Sequence, residues 1–283
     1  MANVTQPEFR RASIRVPLPS AMTWLGAVCL PILAFLLVPI LIVVPMAFTK
    51  GQILNFPPQL FSVHAFTELF ADTQWMESAL ISLRVGMLAT LIAVLVGVTS
   101  VLALHRRPAV LTGVVTGIVL LPMMIPGIVT ALSFYLFFRR IGMGGSWVAI
   151  ALAHSVVITP YVFVATQASL SGVDPALPRA ARSLGAGAWT IFWVVYWPAI
   201  RPGVIGGGVF AFIGSFDEIV ISLFLSGPNL VTLPVQIFTS LQMDLTPKVA
   251  AVSAVLILLS LIGLAAQAYQ HKHTTKNPTD ATL

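Results

Sequence analysis

Charge is the scarcest commodity in this chain. Only 8% of its 283 residues are Asp, Glu, Lys or Arg, against 58% that are apolar. Soluble domains carry about 25% charged residues, so a water-facing shell around a single core is excluded. Soluble enzymes, coiled coils and disordered segments go with it. Cysteine is almost absent too: Cys29 stands alone within an apolar run, so the chain forms no internal disulfide and no cysteine metal cluster. No lysine follows a glycine, which excludes a Walker A loop. Neither HExxH nor GxSxG occurs, and the five histidines are scattered. His154, alone in an apolar stretch, reads as a hydrogen-bonded helix-packing residue.

What the chain has in abundance is long apolar runs. A helix crossing about 30 Å of hydrocarbon needs about 20 apolar residues, and six stretches qualify: 21–48, 79–104, 111–138, 148–170, 203–225 and 249–269. Lipid leaves backbone groups no partner but each other, so the element is helix, and the runs are too long for barrel strands. The expected fold is an all-α integral membrane protein of six transmembrane helices. Residues 1–20 and 270–283 form tails around a membrane domain at 21–269. The first run follows Arg10, Arg11 and Arg15 as in a signal peptide, but it is too long for an h-region and no cleavage site closes it.

With both ends and alternate loops assigned to the cytoplasm, ten bases lie inside: Arg10, Arg11, Arg15, Arg106, Arg107, Arg179, Arg182, Arg201, Lys272 and Lys276. Four lie outside, namely Lys50, Arg139, Arg140 and Lys248. The excess sets both termini inside. The net charge of +6 is thereby explained by loop retention, with no role for nucleic acid. Pro122 and Pro126 are expected to break the third span and Pro160 the fourth. Gly113/Gly117 and Gly203/Gly207 offer small faces for close helix approach.

Most connections are short; the cytoplasmic loop 171–202 is long and patterned, which marks it as functional. Asp174-Pro175 opens a short helix over 175–184 that carries Arg179 and Arg182 and stops at Gly185. A second helix over 187–197 places Trp189, Trp193 and Trp197 in one stripe suited to the headgroup level. Pro198 and Pro202 are expected to turn the chain into the fifth span. Together these form a rigid knob for a cytoplasmic partner.

Asp217 and Glu218 fall inside the fifth span. Counted from Gly203 at 1.5 Å per residue, Asp217 lies about 21 Å along it. A carboxylate buried there costs about 2.5–3.5 kcal/mol and so points to function. Neighbours on a helix differ by about 100°, so one acid can face a pathway while the other pairs elsewhere. Arg84 in the second span is the expected partner, with snorkelling to the interface as its alternative. Ser215 and Phe216 complete the candidate pathway set. A carboxylate-lined pathway suits a cationic amine. Of the two larger loops on the outside, 49–78 and 226–248, the second holds Thr232-Leu233-Pro234 and a short helix to Leu241.

The knob resembles the EAA loop of permease subunits of binding-protein-dependent ABC importers, E-A-A-x₃-G-x₉-I-x-L-P. Ala180, Ala181, Gly185 and Pro198 match it in register, Val195 and Trp197 replace the Ile and Leu, and Arg179 replaces the Glu. The stretch SFDEIVISLFLSGPNLVTLPVQIF at 215–238 is similar to spermidine/putrescine-type permeases. Relatives of that subgroup also handle opines, other amines and aminophosphonates, so opines or amino acids and an aminophosphonate stand as the alternative substrates. The resemblance implies a type I importer permease fold in the bacterial inner membrane, paired with a second, identical or different, permease subunit. It implies an ATPase dimer docked on Arg179, Ala180, Ala181, Arg182, Gly185 and Pro198, and a periplasmic solute-binding protein on the outer face. This chain would bind no cofactor; ATP and Mg would belong to the ATPase. The reversed charge at Arg179 implies a complementary acid on that ATPase, or a glutamate kept only by the second permease. The rival class is an ion-coupled secondary transporter, which usually shows internal repeats; none is evident. The other rival, a membrane-embedded enzyme, lacks any nucleophile or acid/base cluster.

Overall fold

The computed structural model describes residues 18–51, 54, 56–105, 107–243 and 246–274. Arg10, Arg11, Arg15, Arg106, Lys276 and most of both tails lie outside the described residues. The described backbone is helical, in the order α1 (Leu18–Met46), α2 (His64–Ala71), α3 (Thr73–Leu104), α4 (Ala109–Met124), α5 (Gly127–Arg140), α6 (Trp147–Ser171), α7 (Ala176–Ser183), α8 (Ala188–Ile191), a π-turn (Phe192–Tyr196), α9 (Trp197–Phe216), α10 (Val220–Leu225), α11 (Leu233–Met243) and α12 (Pro247–Thr274).

Two compact units divide the chain: Met1–Ala65 with Ala250–Leu283, and Phe66–Val249. The first unit contains α1, which stays helical through Pro31, Pro39 and Pro45 and exposes Leu30, Phe35 and Leu41. An apolar medium outside the helix makes its remaining backbone bonds obligatory, so the prolines do not end it. After α1, Lys50 N donates to the Leu60 carbonyl and Ser62 N to that of Phe48, closing the following loop on itself.

The second unit is built on three mutually packed helices, α3, α6 and α9, with α4 beside α6, α10 against α5 and α6, and α11 on α3. Of these, α6 is the axis: Ile150, Ala151, Ala153, Val162 and Phe163 have no exposed surface. Glycine makes this packing possible. A Cβ on Gly203 would overlap the Ala165 carbonyl oxygen and Ser169 Oγ, and one on Gly207 would come within 2.8 Å of Val162 Cα. The expected close approach along Gly203/Gly207 is therefore present. Around Gly113 and Gly117 there is open space instead, so that pair serves no packing among the described residues.

Four helices are long and apolar enough to cross a membrane, Val28–Met46, Thr73–Leu104, Trp147–Ser171 and Ala188–Phe216, and the pair α4–α5, bent by 99°, makes a possible fifth. The sixth expected stretch falls on α12, whose described apolar part is the shorter Pro247–Gly263. Three expectations need correction. The third span breaks only once, at Ile125-Pro126, because a residue before proline is pushed from the helical region: Ile125 has φ −83° and ψ 132°. Pro122 stays inside α4, and Pro160 inside an unbroken α6. Nor do Pro198 and Pro202 turn the chain, for helix runs from Ala188 through Phe216. Pro198 occupies the first turn of α9, where no N–H is required, and the preceding turn widens so that Trp197 N–H reaches the Phe192 carbonyl, five residues back.

Candidate functional site

The fifth span is interrupted where its acids lie. α9 ends at Phe216, and α10 starts at Val220, so Asp217 and Glu218 do not share a continuous helix as the apolar run suggested. Asp217 caps α9 with φ −91° and ψ 0°, its N–H bonded to the Ile213 carbonyl at 3.0 Å. Glu218 then turns back on the chain: its Oε1 accepts from Ile221 N at 2.9 Å, satisfying one of the open N–H groups that begin α10. This separates the two acids chemically. Glu218 is half-buried and engaged in capping; Asp217 is exposed, and no hydrogen bond or ion pair engages its carboxylate among the described residues.

Arg84 pairs with neither acid among the described residues. It projects from the exposed face of α3 beside Leu83 and Met87, while Ser82, Val85 and Gly86 form the buried face. Of the remaining pathway candidates, Phe216 packs on Phe212 at 5.9 Å between ring centroids. Ser215 is buried, and its Oγ lies 2.9 Å from His154 Nδ1. The other ring nitrogen, Nε2, lies 3.2 Å from Ser222 Oγ. His154 is thus the hydrogen-bonded packing residue expected, but its place is one that sequence did not reveal: it bridges the end of α9 to the start of α10. The missed signal is a Ser-x₆-Ser spacing around Asp-Glu, with a lone histidine on a neighbouring span.

The knob has the form its residues dictate. Asp174 Oδ1 accepts from Ala176 N at 2.7 Å, capping α7 at its start. At its end Gly185 takes φ +84°, and Ala186 N donates to the Ala181 carbonyl at 3.0 Å, a glycine-dependent helix stop. Pro178 faces inward. Leu184, 88% exposed, Leu177, Arg179 and Arg182 are all presented outward. Arg179 Nε donates to the Pro175 carbonyl at 2.9 Å, leaving its terminal nitrogens for a partner. Trp189, Trp193 and Trp197 form an edge-to-face ladder with centroids 5.7 and 5.6 Å apart, running into α9 through the π-turn and Pro198.

The opposite loop, as expected, carries a short helix, α11. Leu233 N donates to buried Ser82 Oγ at 2.7 Å, Gln74 Nε2 to Gln236 Oε1 at 3.2 Å, and Lys248 Nζ lies 3.0 Å from Asp72 Oδ2. Burial pushes the Asp72 carboxyl up, but the hydrogen bond and charge of Lys248 and the N–H groups of Gln74 and Trp75 outweigh it and hold it below its ordinary 3.8. Arg139, one of the bases against the charge trend, is held locally: Nη1 donates to Tyr135 Oη at 2.6 Å and the guanidinium lies 5.8 Å from that ring's centroid.

Among the described residues no three His, Cys, Asp or Glu side chains gather to hold a metal ion. Several helices long and apolar enough to cross a membrane make the class that of a multi-pass membrane protein. Residues 93–276 match the binding-protein-dependent transport system inner membrane component family, and the chain belongs to it. The spermidine/putrescine transport system permease protein PotC of Haemophilus influenzae is 32% identical over 228 residues, covering 81% of this chain and 88% of that protein. The putrescine transport system permease protein PotI of Escherichia coli is 30% identical over 238 residues, covering 81% and 83%. A bacterial ABC transporter involved in the import of the acidic polysaccharide alginate has a chain that superposes with a TM-score of 0.65 at 16% identity, covering 93% of this chain and 99% of its own. That last likeness speaks for the fold alone: an all-helical ABC importer permease.

Proposed function

We propose that this chain is the permease subunit of an ATP-driven importer that moves a small cationic amine, polyamine-like, into the cytoplasm. The observation that carries the substrate class is the exposed, uncommitted carboxylate of Asp217 at the break between α9 and α10: an ionisable group within an apolar span points to function, and its negative charge suits a cation. The polyamine permeases at about 30% identity over four-fifths of the chain support the same reading. ATP and Mg are assigned to an ATPase dimer, a second permease subunit completes the pathway, and a periplasmic binding protein delivers the solute. The domain plan is a membrane-embedded body at 21–269 between two cytoplasmic tails, with loop 171–202 as the coupling element.

Force enters through that loop. Leu177 and Leu184 supply an exposed apolar edge to α7, and Arg179 and Arg182 supply the charge that selects an acidic rim on the ATPase. The tryptophan ladder and the helix continuous from Ala188 to Phe216 form a stiff lever, so a shift of α7 passed across the Gly185 stop to Ala188 reaches Asp217 with no further break.

The test is uptake of radiolabelled putrescine and spermidine in cells expressing the whole importer, with and without its ATPase. Uptake should vanish without the ATPase, and Arg179→Glu should reduce the ATPase that co-purifies. Accumulation that persists without any ATPase and follows an ion gradient would make the chain a secondary transporter. ATPase-dependent uptake that excludes every amine tested would overturn the substrate class alone.

A further inference from the structure

A helix broken inside a bundle leaves carbonyls at one end and N–H groups at the other without intrahelical partners, and it leaves the orientation of the two halves to be fixed by something else. Here two serines flank the break, Ser215 in the last turn of α9 and Ser222 in the first turn of α10, with 3% and 0% of their surface exposed. Between them stands one side chain from a third helix. His154, 1% exposed, meets Ser215 Oγ with Nδ1 at 2.9 Å and Ser222 Oγ with Nε2 at 3.2 Å. A neutral imidazole has one donor and one acceptor nitrogen, and a hydroxyl can serve either, so both contacts are satisfied in either tautomer. On the far side of the chain Glu218 closes the same break with its bond to Ile221 N.

We propose that His154 and Glu218 are positioning residues that fix the α9–α10 break, and that Asp217 alone of the two acids contacts the transported cation. The inference rests on the importer reading above and divides its site into a binding group and two supports. Geometry supplies the reason. With both serines held from α6, residues 217–219 are kept from rejoining α9 and α10 into one helix, a change that would set each of them about 100° around the axis from its neighbour and break the Glu218 cap. Because Glu218 caps through one oxygen, an amide can replace it; Asp217, lacking such a bond, acts through its charge.

The experiment is uptake kinetics of the full importer in proteoliposomes, with ATPase activity recorded beside it. Asp217→Asn should lower uptake at least 10-fold, and Glu218→Gln, which keeps an accepting oxygen, by no more than about 3-fold. His154→Leu should raise KM for the amine about 10-fold. His154→Asn, which places a polar group near the Nδ1 position, should recover part of that loss. A second readout guards against misfolding: in a Cys29→Ala background, Asp217→Cys should react with a charged thiol reagent at a rate that His154→Leu changes several-fold in assembled complex. Unchanged uptake in Asp217→Asn would overturn the carboxylate reading itself. A dead Asp217→Asn beside a His154→Leu with normal KM and labelling, or a Glu218→Gln as dead as Asp217→Asn, would overturn only the division of roles.

Discussion

At the scale of single residues, what decides behaviour is whether a side chain has room and a partner. Gly203 and Gly113 look alike in sequence, each beginning a small-x₃-small pair, yet only the first meets another helix. Gly203→Leu should lower the unfolding temperature of the purified chain in detergent by the equivalent of about 1–3 kcal/mol, the usual cost of forcing atoms into a packed contact. Gly113→Leu should leave it within about 0.5 kcal/mol. Equal losses in both would mean that the α6–α9 contact is not what glycine serves. The two carboxylates make the same point: adjacent acids of one charge differ because Glu218 reaches the backbone and Asp217 does not. The sequence placed both in the membrane, but it could not assign their roles, since a one-residue offset in where the helix stops decides which acid caps.

Elements are joined by polar ties as much as by apolar contact. The Asp72 end of α3 is tied to the first turn of α12 by Lys248, and the Asp72 carboxyl is held below 3.8. A carboxyl lowered on folding stabilises the folded state at pH above its ordinary value, and that contribution is lost as pH falls through the lowered one. Asp72→Asn keeps an N-cap but removes the charge. It should therefore be less stable than the parent at neutral pH, by about 0.2–1 kcal/mol for so accessible a pair. The gap should close on acidification below pH 3.8. Thermal unfolding against pH checks this, and a gap that widens in acid would assign the tie the wrong sign. Among elements, α7 and its glycine stop were readable from sequence because a cap, a proline and a left-handed glycine act locally. Of the two breaks expected in α4–α5, the one at Pro126 is present and the one at Pro122 is not, because only the residue before Pro126 left the helical region. The passage from α8 into α9 was misread because a π-turn leaves no signature in apolar spacing.

The whole molecule is an all-helical permease, and its bases carry the proposed orientation. With ten on one side and four on the other, both termini are assigned to the cytoplasm. A fluorescent protein fused after Leu283 should fluoresce, and alkaline phosphatase fused at the same place should be inactive; an active phosphatase would invert the proposal and place the knob away from any ATPase.

Composition and run length alone determined that this chain lives in lipid as helices, because no other backbone arrangement satisfies its amides there. They also located the knob, whose capping groups lie within a turn or two of the groups they serve. Tertiary structure alone decided that α6 is the axis, that Gly203 and Gly207 let α9 reach it, and that His154 joins two serines seven positions apart across a broken helix. Those contacts pair residues from about 35 to about 70 apart in the chain, and uniform apolarity gives no period from which to infer which helix face meets which.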